Sequence, residues 1–306
     1  MPKKKKDVEI KTGDELFANT VVRTAERVEY FDDRFYRIDV AEDYFQQFCK
    51  NVPERLTEQV GELRYLYLPS VTTYLGLIID PYLARWRGDV GNERADWISW
   101  KARDLGSEIH ELIDARLKGS PVAFISRGGN TADYPNGTRF THSQEVAIQL
   151  ARFERLLELM QPSILFSEMT VFNLSELYAG TADQMWSFNE PLTYKQGRSV
   201  IELEAGRYVV DIKTGRNIND TSYFAQLSAY CNSDTFKHFG VKGAIILHLN
   251  ANIKGGIEGC KIYVKTSEEL KRYYQYFLNV KGAYLFDNEI TPKRYEIPTF
   301  FNKQLR

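Results

Sequence analysis

Asp211 and Lys213 stand two residues apart at the end of a short β-branched run, Val209-Val210-Asp211-Ile212-Lys213-Thr214-Gly215. In an extended strand, residues two apart project from one face, so this spacing sets a carboxylate beside an ammonium while Val210 and Ile212 point the other way. Opposite charges at the end of a core strand are costly to bury unless they bind something, and a divalent metal with a phosphate satisfies both. A surface salt bridge satisfies the same spacing, and the fragment by itself leaves the two readings open. Further groups stand before and after it. The stretch 178–186 reads as a strand in which Gly180 allows close backbone approach and Asp183 adds a second carboxylate. Upstream, Ile98, Ala102, Leu105, Ile109 and Leu112 recur at helical spacing, with Gly106 and His110 one turn apart at the margin of the apolar stripe. Downstream, Tyr223, Gln226, Leu227 and Tyr230 share one face of a predicted helix, so a carboxamide and a phenol reach the neighbourhood of Asp211.

In this order (helix with His, strand with Asp, strand with Asp-x-Lys, helix with Gln-x-x-x-Tyr) the chain resembles the PD-(D/E)XK nuclease superfamily, and within it the RecB-type exonucleases. The carriers are Gly106-Ser107-Glu108-Ile109-His110, Gly180-Thr181-Ala182-Asp183, Asp211-Ile212-Lys213-Thr214 and Gln226-Leu227-Ser228-Ala229-Tyr230. The segment Leu68-Pro69-Ser70-Val71-Thr72-Thr73-Tyr74-Leu75, followed by Trp86, is similar to the entry sequence of the phage and mitochondrial genome maintenance single-strand exonucleases of this group. The likeness spans roughly residues 65 to 280, and four motifs in one order are far more specific than any one of them.

The resemblance implies an α/β fold with a restriction-endonuclease-like mixed central sheet flanked by helices. It implies a divalent-metal-dependent exonuclease that hydrolyses DNA from free ends or along single strands. Phosphodiester hydrolysis must neutralise charge developing on the phosphorane and leaving oxygens and deprotonate a water near neutral pH, and oxygen-ligated Mg²⁺ or Mn²⁺ does both. By resemblance, two such ions per site are expected, with His110, Asp183, Asp211 and the Ile212 carbonyl as ligands. Lys213 would orient the water or stabilise the pentavalent oxygens. Gln226 and Tyr230 would steady the site or the substrate backbone, and Ser70 and Thr72 would join them in binding nucleic acid. Glu168, on a predicted strand over 164–171, offers a further carboxylate, although an ordinary strand charge suits it better. A structure-specific endonuclease with the same site is the alternative reading. A non-catalytic binding module is disfavoured, because a binder has no reason to keep a costly charge cluster.

Several elements must bring these groups together. The Asp183 and Asp211 strands are expected to neighbour one another although 28 positions separate the two residues. An inserted hairpin absorbs the distance: 199–204 alternates, and Ala205-Gly206 is a turn signal. Four segments are expected: a disordered basic tail over 1–15, a mainly helical arm over 16–100, the nuclease core over 101–290 and a tail over 291–306. Within the arm, 27–40 shows short alternating patches, a helix starts near 41–43, and 41–118 reads as largely helical with breaks at Pro53, Pro69 and Pro81. Trp86, Trp97 and Trp100 are assigned to packing within that arm. The loop signals Gly128-Gly129-Asn130 and Pro135-Asn136-Gly137 suggest a flap. Thr141 with Gln144 reads as a capping box, with His142 in the first turn of a helix that Pro162 stops. A buried strand is expected over 244–249, in which His248 is a hydrogen-bonded core residue, and 261–265 is expected beside it. His238 is placed near a helix end.

Composition narrows the classes. With 306 residues, 43% hydrophobic and 13% aromatic, the chain can bury a large core. Three widely spaced cysteines (Cys49, Cys231, Cys260) are too few for a disulfide framework or an iron–sulfur cluster of the kind some relatives carry. No apolar run is long enough for a membrane span and no signal peptide is legible, so a cytoplasmic enzyme, phage-encoded or of a bacterial host, is expected. The run Pro2-Lys3-Lys4-Lys5-Lys6 resembles a nuclear-localisation signal, and a solvated tail is the simpler reading. Net charge is −1, so any grip on DNA is local. One candidate is the stretch from Lys261 onward, where nine Lys/Arg face five Asp/Glu and Tyr273, Tyr274, Tyr276 and Phe277 interleave. A helix packing those aromatics on the sheet is the stronger reading.

Overall fold

Strand β11 (Gly206–Lys213; elements are numbered along the chain) runs through the middle of a five-stranded mixed sheet, and its Tyr-Val-Val-Asp-Ile stretch is buried on both faces. The order is β13 (Lys261–Thr266), β12 (Val241–His248), β11, β8 (Tyr178–Phe188), β7 (Ser163–Asn173). The pair β11 and β12 is parallel and the rest are antiparallel. A parallel pair needs a crossover, supplied by α6 (Asp220–Cys231), whose first turn is capped by the Asn219 carboxamide. The computed structural model describes residues 22–30, 33–49, 52–78, 80–120, 130–133, 139–142, 144–251 and 259–288. No helix among them is long and apolar enough to cross a membrane.

Period-two alternation divides the core between the two faces of the sheet. Val209, Ala244 and Ile246 pack with Phe224 and Leu227 of α6 and with Leu270 and Phe277 of α7 (Ser267–Asp287), which a Thr266/Glu269 capping box starts. Val210, Ile212, Ile245 and Leu247 pack with Ile109 and Leu112 of α4 (Asn92–Leu117) and Phe153 of α5 (Gln144–Met160). The result is a mixed α/β architecture, with helices on both faces of the sheet. Tyr273 and Phe277 are buried in the core, and Tyr274 and Tyr276 pack against it, so the carboxyl-terminal aromatics are structural.

The segment before the core differs from a mainly helical arm. Strands β1 (Val22–Tyr30), β2 (Asp33–Val40), β3 (Thr57–Val60) and β4 (Leu63–Pro69) form an antiparallel sheet in the order β1-β2-β4-β3, with α1 (Glu42–Phe48) between β2 and β3. The helical reading of 41–118 therefore fails over 57–69. The alternation Leu66, Leu68 against Tyr67 is that of a strand buried on both faces: the leucines pack with Tyr36 and Ile38, Tyr67 with Val71 and Tyr74. The boundary expected at residue 100 falls inside an element. Helix α4 crosses that position unbroken, and Phe35, Tyr67 and Tyr74 share one apolar cluster with α6 and α7. A parallel bridge between Ser70 and Ala179 ties the two sheets together. Helix α2 (Val71–Leu75) follows, and then α3 (Pro81–Val90) leads into α4.

Hairpin β9 (Leu192–Gln196) and β10 (Ser199–Leu203) forms its own two-stranded sheet, while β8 pairs directly with β11. The excess length between the aspartates is thus spooled out beside the main sheet rather than within it. The buried Gln196 carboxamide holds the hairpin there, accepting from Ile262 N at 2.6 Å and donating to Ile262 O at 3.1 Å on edge strand β13. Thr141 and His142 lie in β6 (Arg139–His142), paired with β5 (Asn130–Asp133), so neither begins α5. His238 is exposed among turns after α6 rather than at a helix end. His248 is buried at the end of β12 and bonds the Gly215 carbonyl at 2.7 Å. Trp97 and Trp100 are exposed instead of packed, because Ala95, Ile109, Leu112 and Ile113 already supply the buried stripe of α4. The basic tail, residues 291–306 and the loop residues 128, 129 and 135–137 lie outside the described residues.

Candidate metal centre

The carboxyl end of β11 opens into a cavity of about 710 Å³. Its lining includes His110, Asp183, Asp211, Ile212, Lys213, Gln226, Tyr230, Ser70 and Thr72, every site residue expected from the sequence. Crevices at the carboxyl ends of parallel strands are the usual ligand sites of such sheets, since side chains from several elements converge there.

Local backbone geometry explains the convergence. The β8–β11 ladder ends at Gln184 and Val210. Beyond it the Asp183 carboxylate takes over, accepting from Ile212 N at 2.7 Å. Across β7 and β8, the pairs Ser167 with Gln184 and Met169 with Ala182 leave Glu168 and Asp183 facing each other unpaired. Glu168 adopts φ +54°, a left-handed conformation that costs a non-glycine residue about 1–3 kcal/mol. The kink switches parity in both strands: Phe166 and Met169 reach the same apolar cluster, as do Ala182 and Met185. Each strand gives up one residue to the kink, and these residues are the two carboxylates. Glu168 is therefore no ordinary strand charge.

Helix α4 brings the imidazole. A Cβ on Gly106 would lie 3.1 Å from Thr214 Oγ1, so a glycine there lets the helix settle on the end of β11. One turn on, His110 Nε2 donates to the Ile212 carbonyl at 3.1 Å, while Nδ1 faces Glu168 Oε1 at 3.5 Å and Asp183 Oδ2 at 3.7 Å. Ligand atoms of His110, Glu168 and Asp183 all lie within 4.8 Å of one another. The Ile212 carbonyl thus sits beside the cluster, engaged with the imidazole.

Asp211 and Lys213 share a face of β11, as the two-residue spacing predicts. The Lys213 ammonium donates to Asp211 Oδ1 at 3.0 Å and stands 2.8 Å from Oδ2. Its alignment with Oδ2 is too poor for a hydrogen bond, and that buried oxygen accepts none. The ammonium also lies 4.3 Å from the centre of the Tyr223 ring. Gln226 donates to the Tyr230 hydroxyl at 2.9 Å. Tyr230 covers Gly180: a Cβ there would fall 2.7 Å from the phenolic oxygen and 2.8 Å from Cζ. Gly180→Ala is expected to cost about 1–3 kcal/mol by overpacking. Calorimetry should show a melting point lowered by several degrees, and an unchanged one would mean that the ring yields freely.

Charge balance sets the protonation pattern. Burial opposes the His110 cation, but Asp183 and then Glu168 outweigh it and hold its pKa at about 9. Burial likewise opposes the Lys213 cation, and Asp211 and Asp183 more than compensate. Burial drives the pKa of both aspartates up, even against Lys213 and His110. Three carboxylates thus crowd the His110 imidazole and the Lys213 ammonium, with Arg27 and Arg34 further along the cavity lining.

Other lining residues carry no sequence signal of their place here. Tyr36 and Arg34 come from β2 and Arg27 from β1, while Arg103 comes from α4. The Tyr36 hydroxyl meets Thr181 Oγ1 at 2.9 Å, joining the amino-terminal sheet to the Asp183 strand. For Glu168 a signal existed: the apolar positions 166 and 169 break a two-residue period across it. The chain was compared with protein-family models and with curated proteins, and neither comparison found a match.

Proposed function

We propose that this protein is a divalent-metal-dependent exonuclease acting on DNA ends or single strands, with a restriction-endonuclease-like core. One observation carries the reading: Glu168, Asp183, Asp211, His110 and Lys213, distant along the chain, converge in a single cavity. The donor set fits Mg²⁺ or Mn²⁺, since hard oxygen ligands with one imidazole suit these ions and the buried Asp211 Oδ2 accepts no hydrogen bond. Asp183, Asp211, Glu168 and His110 would hold the metal, which when bound supplies charge neutralisation at phosphate and a water of lowered pKa.

The remaining chemistry belongs to side chains. Lys213, kept as an ammonium by its carboxylate neighbours, presents a compact positive charge and a proton at Nζ to the reacting phosphate. Arg27, Arg34 and Arg103 draw the nucleic-acid backbone into the cavity, and the hydroxyls of Ser70 and Thr72, which bond each other at 2.8 Å, offer phosphate donors. Gln226 fixes the Tyr230 hydroxyl against the strand that carries Asp183. These groups position phosphate beside the carboxylates, and positioning accounts for much of the barrier lowering in phosphoryl chemistry.

End-labelled linear oligonucleotides and circular single-stranded DNA, each incubated with Mn²⁺ and with EDTA, test the reading. Linear DNA should shorten from an end only with metal, and circles should survive. Cut circles would make the enzyme an endonuclease with the same centre. Intact linear DNA in Mn²⁺ and in Mg²⁺ would overturn the proposal.

A further inference from the structure

Helix α4 extends well beyond the cavity that it helps to line. Arg103, Ser107 and His110 face the cavity, and the helix continues toward its amino terminus with Trp100 and Trp97, 57% and 59% exposed. Neither ring belongs to the buried clusters of the core. At 100° per residue, Trp100 lies between Ser107 and Glu111 in angle, and both of those residues line the cavity. Ten residues of helix place it about 15 Å along the axis from His110. The ring therefore stands at the mouth of the site, on its side of the helix.

The surroundings favour a nucleic-acid strand over an apolar partner. Charges of both signs flank the rings: Asp96 and Asp104 stand one turn either side of Trp100, Arg103 lines the cavity one turn from it, and the Lys101 ammonium stands 5.5 Å from the centre of the Trp97 ring. Arg87 of α3 pairs with Asp96 of α4 at 2.7 Å, linking the two helices beside the rings. Rigid aromatic faces with flanking cations hold single strands without sequence preference, because every base has a π-face and every linkage a negative charge.

We propose that Trp100, with Trp97 behind it, stacks the bases of a single strand whose backbone passes Arg103 into the cavity. The proposal rests on reading that cavity as a nuclease site, and it adds a binding subsite outside the reacting centre. Binding and hydrolysis are therefore measured separately. Anisotropy of a fluorescent thymidine oligonucleotide of about twelve residues, titrated with the full chain in EDTA, reports the subsite. Trp100→Ala should weaken binding roughly 5- to 100-fold, and Trp100→Phe should restore most of it. Equal binding by Trp100→Ala and the parent overturns the subsite and leaves the nuclease reading intact. Weakened binding restored by Phe supports it even if metal-dependent hydrolysis is never seen. If the parent binds no oligonucleotide, or if sedimentation shows that Trp100→Ala instead abolishes self-association, the surface serves another purpose and the proposal falls.

Discussion

Asp211→Asn is expected to reduce metal-dependent DNA hydrolysis by roughly a thousandfold or more, the scale on which single charge-stabilising groups act. The same variant should be no less stable than the parent when metal is absent. Burial raises the Asp211 pKa above its unfolded value, so above that unfolded value ionisation favours the unfolded chain and the carboxylate destabilises the fold. An amide of the same shape removes the burial penalty and keeps one acceptor for Lys213, although its NH2 then faces the ammonium that now contacts both oxygens. In EDTA the variant should melt at the parent's temperature or higher. Added Mn²⁺ should raise the melting temperature of the parent and not of the variant. Unchanged turnover would remove Asp211 from the chemistry. A lower melting temperature in EDTA would show that its bond to Lys213 outweighs its burial.

Lys213→Ala should produce the second large effect, lowering turnover by roughly 100- to 1,000-fold while metal affinity holds or rises. The asymmetry follows from charge. Lys213 is the ion-pair partner of Asp211, and deleting it leaves the centre more negative, which favours a divalent cation. Lys213→Arg should not rescue turnover, because a planar guanidinium cannot replace a compact ammonium seated over the Tyr223 ring. Isothermal titration with Mn²⁺ beside single-turnover kinetics separates the effects. Lost metal affinity with unaltered turnover at saturating metal would make Lys213 a structural residue.

Much of the centre was legible because period carries it. The two-residue spacing of Asp211 and Lys213 and the four-residue spacings of Gly106 with His110 and Gln226 with Tyr230 are direct statements about which side chains share a face. The helices and strands holding them appear where those periods place them. What escaped lies where the period breaks or where contacts are remote. Glu168 projects because a left-handed residue interrupts its strand, and a single unusual φ leaves only a faint trace in composition. Arg34 and Tyr36 reach the cavity through a sheet assembled from 22–69, pairing that no local pattern specifies. Over 57–69 the sheet is not legible as strand, because a short segment apolar on both faces shows neither period cleanly. The exposure of Trp97 and Trp100 is hidden for a related reason: sequence gives a side chain's size but not whether its helix has apolar surface to spare for it.

The Gln196 carboxamide bonded to both main-chain atoms of Ile262 acts as a molecular stopper. An outer strand normally advertises alternating donors and acceptors on which a foreign polypeptide can zip, and here the middle of that row is already taken by one side chain. Strand addition by a second molecule along the middle of β13 is thereby interrupted.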